Sequence, residues 1–291
     1  MSTAVIGVNK SYRVPVASLV VIGWVAALIT LCYFPVIVRL VTQWANDDDM
    51  GHGFFVPVIA GFIAWQKMEQ AQSVPAVPDW RGILLLAWAA IQLFIGTLGA
   101  ELFLSRSALV FTIIGAVWLV GGTRYLRVFA FPLFLLFFMI PIPAIIYSTL
   151  TLPLQQFASA VAEQSLYMLG IAVSRDGNVL ELPSMKLNVV EACSGIRSLL
   201  SLTFLSLVYG YFFESNQRIR TVLFFSTIPI AILANAGRVT VTGILAEIKP
   251  SYAEGLVHEA EGWVIFMIAL LIMVGVHQFL TRIWARFQRR R

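Results

Sequence analysis

Three short segments of the chain carry side chains whose chemistry is that of acyl transfer. Cys193 lies in the sequence EACSGIRS, Arg238 lies inside an apolar run, and His258 lies just before the last apolar run. A thiolate is a nucleophile, a guanidinium stabilises negative charge on a carbonyl oxygen, and an imidazole transfers protons near neutral pH. The sequence therefore offers a nucleophile, an oxyanion stabiliser and a general acid/base.

Cys193 is the predicted nucleophile because of its surroundings. It lies where a polar loop becomes an apolar helix, and a helix N-terminus favours the thiolate over the thiol. Arg197, about one turn further on, favours the thiolate as well. Glu191, Ser194 and Gly195 flank the cysteine, and we predict supporting or substrate-binding roles for them.

Arg238 requires an explanation because a guanidinium within an apolar span costs at least ~2.5 kcal/mol. Asn235 and Thr242 lie three residues before it and four after it, on the same helical face, so the polar stripe should point into a bundle. The structural alternative is an ion pair with a buried carboxylate such as Glu191 or Glu101. The functional interpretation is stabilisation of an oxyanion.

His258 is followed by two carboxylates, and either Glu261 or Glu259 is placed to orient its ring. A histidine at the face where a cysteine and an arginine also emerge can pass a proton to a leaving amine. The other cysteine, Cys32, lies in the middle of an apolar run and is expected to be a small packing residue. Two cysteines in such positions do not indicate a disulfide framework.

Composition sets the fold class. Hydrophobic residues make up 59% of the 291 positions and charged residues 12%, so the bilayer is the main solvent. Backbone groups in lipid must be paired within their own segment, which predicts an all-α, polytopic transmembrane helical bundle. We predict one integral membrane domain, 1–291, with about eight spans at 16–38, 53–66, 82–99, 106–122, 128–147, 196–213, 219–245 and 262–281.

The segment 154–173 decides the topology. It is apolar but carries Gln155, Gln156, Glu163 and Gln164, and counting it as a span would turn the basic tail 282–291 outward, against the positive-inside rule. We therefore interpret it as an interfacial or re-entrant helix on the outer side. Both termini should then be cytoplasmic, with the site segments 175–198, 235–242 and 252–263 at the outer face. An Asp-Gly-Asn turn signal at 176–178 predicts a short hairpin there.

The same blocks, in order along nearly the whole chain, resemble the exosortase family of bacterial membrane transpeptidases and its archaeosortase relatives. The resemblance rests on VEACSGIRS at 190–198, NAGRV at 235–239, His258 with Gly262-Trp263, His52-Gly53-Phe54 with Pro57, PIP at 141–143 and RDGN at 175–178. It implies Cys193 as nucleophile, Arg238 as transition-state stabiliser and His258 as proton-transfer residue. His52 is expected to face the substrate.

The resemblance also implies a substrate. Exosortases act on exported proteins with a tripartite, PEP-CTERM-like C-terminal signal: a short Pro-containing motif, a transmembrane helix and a basic end. The expected partners are this tail, the lipid bilayer and an acyl acceptor whose identity is open. The expected location is the bacterial inner membrane, with the active site facing the periplasm or exterior.

Alternative functions remain at this stage. Arg238 and Asn235 suit the pathway of a transporter or channel, and the chain could also be a non-enzymatic envelope assembly protein. No Gly-x-Ser-x-Gly or His-Glu-x-x-His motif points to another membrane hydrolase. A metal bound by His52 with the aspartates at 47–49 is conceivable but not favoured, so we predict no metal and no cofactor. The net charge of +5 lies mainly in loops and tail, which indicates lipid headgroups and no nucleic acid.

Overall fold

The computed structural model describes residues 16–189 and 195–289. Helices dominate these ranges, as expected for an all-α polytopic bundle. The α-helices are α1 (Val16–Asn46), α2 (Phe55–Gln66), α3 (Met68–Gln72), α4 (Arg81–Leu98), α5 (Leu102–Val128), α6 (Ala130–Leu135), α7 (Ala144–Met168), α8 (Ile196–Phe213), α9 (Gln217–Ile248) and α10 (Gly255–Arg289). Short 3-10 helices lie at Asp48–Phe54, Leu136–Met139 and Pro250–Ala253.

Within the described part of the chain, six helices are long and apolar enough to cross a membrane, where the sequence predicts about eight spans. They are α1, α4, α5, α8, α9 and α10. The predicted second span is only the 12-residue α2, too short for the ~20 residues that a bilayer requires. The pair formed by 130–139 and α7 counts as a seventh if it is one bent span.

The predicted fifth span, 128–147, is not continuous. Its helix ends at Met139, Pro141 and Pro143 follow, and α7 begins at Ala144 after a bend of 81°. Proline lacks an N–H and disfavours helix in the preceding residue, so this sequence cannot carry a helix through. The chain forms a broken span or a re-entrant loop at this position. The helix expected from 154 therefore starts ten residues earlier.

The end of α7 is determined by glycine. Gly170 has a φ of 80°, and its N–H donates to the Tyr167 carbonyl while the Ile171 N–H donates to the Leu166 carbonyl. These two bonds form the Schellman motif that closes many helices, and glycine adopts the required left-handed conformation without strain. The chain can then leave α7 and enter the strands.

The described residues divide into two compact units on either side of the Pro141–Ile142 bond. In the first unit α4 packs closely on α5, and Asp79 joins one end of this hairpin. Its carboxylate accepts hydrogen bonds from Trp118 and Thr123. A hydrogen bond from the Arg81 backbone N–H, together with these two, holds the pKa of Asp79 below its ordinary value.

The second unit contains a small antiparallel sheet, β1 (Ser174–Asp176), β2 (Val179–Glu181) and β3 (Lys186–Asn188). Gly177 has a φ of 62° at the first position of the two-residue β1–β2 turn, where type II′ turns place glycine. The predicted hairpin is confirmed, and a third strand extends it.

The sheet is attached to two helices. Leu180, Leu187 and Val189 are buried in a core formed with α7 and α9. At the surface, the Ser184 hydroxyl and backbone N–H both donate to Glu247 on α9, at 2.6 and 3.0 Å. The strand that precedes residues 190–194 is therefore fixed on the helix that carries Arg238.

A polar cluster joins α10 to the α8–α9 connection at the other end of α9. His277 contacts the Glu214 carboxylate through Nε2 at 3.1 Å and the Tyr209 hydroxyl through Nδ1 at 3.0 Å. Burial by itself would raise the pKa of Glu214. Hydrogen bonds from the Asn216 backbone N–H and from His277 outweigh that effect and hold the pKa below its ordinary value.

Candidate active site

Arg238 and His258 meet in the second unit. Arg238 lies on α9 and His258 lies in the first turn of α10, and their Nη2 and Nε2 atoms are 3.0 Å apart. A guanidinium only donates hydrogen bonds, so Nε2 accepts and the proton of the neutral imidazole lies on Nδ1. The geometry therefore assigns the tautomer of His258.

Glu261 lies on the other side of the histidine ring. Its Oε2 is 3.4 Å from His258 Nδ1, and only 5% of its side chain is exposed. Of the two carboxylates proposed to orient His258, Glu261 is the one that contacts it, whereas Glu259 lies on the exposed face of α10. Arginine, imidazole and carboxylate thus form a chain of contacts within the helix bundle.

Thr242 links this chain of contacts back to α9. Its buried hydroxyl lies 2.9 and 3.0 Å from the two Glu261 oxygens and 3.0 Å from the Arg238 carbonyl. A hydroxyl has one proton to donate, and a carboxylate is a stronger acceptor than a carbonyl. Thr242 therefore fixes Glu261, which in turn faces the Nδ1–H of His258.

Gly262 lets α10 approach Arg238. A Cβ built on Gly262 would lie 2.9 Å from Cζ and Nη2 of the guanidinium. No side chain larger than hydrogen fits unless the guanidinium moves. The Gly-Trp pair noted in the sequence thus has a steric reason for its glycine, while Trp263 is 70% exposed.

Gly195 and Asn235 are in close contact where α8 begins. Gly195 has a φ of 72°, and a Cβ there would lie 2.9 Å from the Asn235 amide nitrogen. Asn235 is buried one turn before Arg238 on α9. A cavity of about 10 Å3, room for roughly one water molecule, lies between these residues, Leu154 and Leu199.

The remaining predicted site residues fall into two groups. Glu191, Cys193 and Ser194 lie outside the described residues. Arg197 is exposed in the first turn of α8. In the second unit the predicted site is therefore represented by Gly195, Arg197, Asn235, Arg238, His258 and Glu261.

His52 belongs to the first unit. Its Nε2 is 3.2 Å from the Phe138 carbonyl, and burial lowers the pKa of its imidazole. Beside it, Trp44 donates to the Met139 carbonyl, and a Cβ at Gly53 would lie 2.5 Å from the Trp44 ring. This packing fixes the backbone just before the proline break, so the His-Gly-Phe sequence has a structural role.

Cys32 does not pack between helices as expected. It is a free cysteine on an exposed face of α1, whereas its neighbour Tyr33 is buried and bonded to Thr112. Adjacent residues on a helix point in different directions, so Cys32 faces away from the unit while Tyr33 faces into it.

The arrangement in the second unit can move a proton and hold an anion. One arginine and one carboxylate flank a neutral imidazole, so the cluster has no net charge, which reduces the cost of an intramembrane guanidinium. The Arg238 Nε is buried and has no hydrogen-bond partner among the described residues. The fold and this cluster define a polytopic membrane protein with a polar site among its helices.

The chain matches the transmembrane exosortase family over residues 44–275 and belongs to that family. The match includes the Arg238, His258 and Glu261 cluster and the segment around Cys193. Family membership suggests a membrane transpeptidase. No significant match was found among curated proteins or among solved structures.

Proposed function

We propose that this chain is a cysteine-dependent membrane transpeptidase that cleaves C-terminal tripartite sorting signals of exported proteins through an acyl-thioester on Cys193. The observation that carries the proposal is the contact chain from Arg238 through His258 to Glu261. It combines an oxyanion stabiliser with an oriented acid/base in a chain of the exosortase family.

Chain connectivity supports Cys193 as the nucleophile. Gly195 touches Asn235, one turn before Arg238. Cys193 precedes Gly195 by two residues in the sequence, and the proposed mechanism therefore assigns its thiol to the site that Asn235 and Arg238 share.

The first half-reaction forms the thioester. His258 Nε2 takes the thiol proton, the sulfur attacks the scissile carbonyl, and the resulting oxyanion is held by Arg238. His258 then gives the proton to the leaving amine as the C–N bond breaks. Protonation of Nε2 removes the lone pair that accepts from Arg238, so the same event releases the guanidinium toward the oxyanion.

The second half-reaction returns the enzyme to its starting state. An acceptor amine or water gives its proton to His258 Nε2 and attacks the thioester carbonyl. Arg238 holds the second oxyanion until the C–S bond breaks, and the sulfur recovers its proton from His258. Glu261 and Thr242 keep the ring in one orientation through both halves.

The proposed location is the bacterial inner membrane, with both termini cytoplasmic and the site facing outward. The positive-inside distribution of the loops and of the basic tail supports it. The Pro-containing motif of a tripartite tail would then lie just outside the bilayer, near the start of α8 and of α10. Membership of the exosortase family favours this activity over a transporter or a scaffold.

Processing of a co-expressed tripartite-tail reporter tests the proposal. Cys193→Ala should abolish cleavage and the hydroxylamine-sensitive adduct with the tail, while Arg238→Ala and His258→Ala should each slow cleavage by at least about 10²-fold. Cys32→Ala is the matched control because it removes the other, exposed cysteine. Cleavage by Cys193→Ala at the wild-type rate would refute the mechanism.

Thiol labelling tests the orientation. In the Cys32→Ala chain, a membrane-impermeant maleimide added to intact spheroplasts should react with Cys193, the one remaining cysteine. Labelling that requires permeabilised membranes would contradict the outward-facing site, provided that detergent-solubilised protein reacts equally fast in both preparations.

A further inference from the structure

A second charged site lies in the first unit, between α1, α4 and α5. It is a cavity of about 230 Å3, many times the roughly 10–15 Å3 that one water requires. Arg39, Arg106, Ser105, Thr97 and Gly96 are among the residues that line it. The mechanism proposed for Cys193 uses none of them.

The register of α1 against α5 brings the two arginines together. The Tyr33 hydroxyl and the Thr112 hydroxyl are 2.6 Å apart and join the two helices. The helices run in opposite directions past this bond, so six residues forward on α1 and six residues back on α5 lead to Arg39 and Arg106. Both side chains line the same cavity.

Neither arginine is neutralised by an ion pair within the described residues. Arg106 is only 5% exposed, and its buried Nε has no hydrogen-bond partner there. Glu101 attracts Arg106 electrostatically, but its carboxylate caps α5 by accepting the Leu104 N–H at 2.7 Å. Two cations facing one carboxylate leave an excess positive charge, which is costly beside lipid.

The helices beside the cavity are closely packed. A Cβ on Gly96 would lie 2.5 Å from the Ser105 hydroxyl and 2.8 Å from its backbone nitrogen, so glycine is required where α4 meets α5. The site lies at the last turn of α4 and the first turns of α5. That is the end of the hairpin opposite Arg81 and Arg124.

We propose that this cavity binds the phosphate group of an anionic ligand, supplied by a lipid headgroup or as a free phosphate. A guanidinium group matches phosphate oxygens in geometry and charge. Two arginines line this cavity, and neither forms an ion pair within the described residues. The bound anion offsets the excess charge of Arg39 and Arg106. This binding is independent of the transpeptidase reaction.

Native mass spectrometry of the delipidated full-length protein in detergent tests the site. Dioleoyl phosphatidylglycerol, dioleoylglycerol and inorganic phosphate serve as probes. We expect the phosphatidylglycerol to bind at one site and dioleoylglycerol, which lacks the phosphate, not to bind there. Arg39→Ala should weaken the binding of the phosphate-bearing ligand by about tenfold or more. Arg124→Ala, which removes an exposed arginine at the other end of α5, should bind it like wild type.

The two sources of phosphate give different results. Binding of phosphatidylglycerol that millimolar inorganic phosphate does not displace identifies a headgroup site. Binding of inorganic phosphate with no binding of the lipid identifies a free-anion site. Because Arg106 is buried, Arg106→Gln is the second variant, and Arg39→Ala keeps the test valid if Arg106→Gln does not fold. Equal phosphate-ligand affinity in wild type and Arg39→Ala would overturn the proposal.

Discussion

His258 and His277 lie on the same helix, about 28 Å apart at 1.5 Å per residue, and their rings face different partners. At His258 an arginine donates to Nε2 and a carboxylate faces Nδ1. At His277 a carboxylate faces Nε2 and the Tyr209 hydroxyl contacts Nδ1. The first ring has a lone pair directed toward a cation, and the second donates toward an anion.

From this difference we expect the His258 ring to take part in the chemistry and the His277 ring to have a structural role. Proton uptake at His258 would break one bond and free a guanidinium, so the change has a chemical use. Donation from His277 to Glu214 joins α10 to the α8–α9 connection, so its loss would only loosen that junction. We therefore expect changes at the His258 cluster to alter rate and changes at the His277 cluster to alter stability.

The largest difference should appear when each of the two histidines is replaced separately by alanine. His258→Ala should lower reporter processing by about 10²- to 10⁴-fold, since it removes the proposed proton carrier. His277→Ala should keep the wild-type rate per folded molecule, measured on protein quantified by gel filtration. A loss of rate in His277→Ala as large as that in His258→Ala would remove the distinction.

Gly262→Ala should disrupt the cluster of Arg238, His258 and Glu261, although none of these three residues is changed. The added methyl displaces the Arg238 guanidinium, so processing should fall by roughly ten- to a hundredfold. The free energy of unfolding should change by less than about 0.5 kcal/mol, because a flexible side chain can move aside. Gly275→Ala, on the same helix with nothing within 4 Å, is the control and should process normally.

Tyr209→Phe tests the contacts of the His277 ring. It deletes the hydroxyl that contacts His277 and should lower the free energy of unfolding by about 1 kcal/mol, with no change in processing. Tyr167→Phe removes a hydroxyl from a side chain that is 71% exposed and should leave stability unchanged. Equal thermal unfolding of the two variants would show that the His277 contact contributes nothing.

The smallest expected effect is a pH dependence at Glu214. Its folded pKa lies below the ordinary value of 4.5, so the ionised group contributes stability at higher pH. That contribution is lost as pH falls from about 4.5 through the lower folded value. Wild-type protein should lose more thermal stability than Glu214→Gln between pH 5 and pH 3, by scanning calorimetry in detergent. Parallel curves would contradict this assignment.

Local spacing predicted much of the site. Asn235, Arg238 and Thr242 repeat at helical intervals, and the sequence limited the partner of His258 to Glu259 or Glu261. Only the packing of α10 on α9 distinguishes the two carboxylates, because the helix face turned toward α9 is a tertiary property. The roles predicted for Cys193, Arg238 and His258 remain predictions.

Contacts between distant residues were not predictable. Glu214 and His277 are separated by 63 residues and lie in runs that otherwise appear as ordinary span ends. Arg39 and Arg106 meet only through the register that Tyr33 and Thr112 set. Among the described residues, six helices, or seven with the bent pair, qualify as spans where the sequence predicted about eight. The two prolines at 141 and 143 end a helix inside one apolar run, and α2 has only 12 residues.

The continuity of α10 has a mechanical consequence. The helix carries both histidines on one continuous backbone, and no break interrupts it between Gly255 and Arg289. A rotation of about 5° around the His277 junction would move His258 by roughly 2.5 Å over the 28 Å between them. That displacement is close to the whole length of the Arg238–His258 hydrogen bond. The imidazole is therefore aligned by the contacts at its own end of α10, with Arg238 and Glu261 and at Gly262, and we expect these contacts to hold it in place when the His277 junction is loosened.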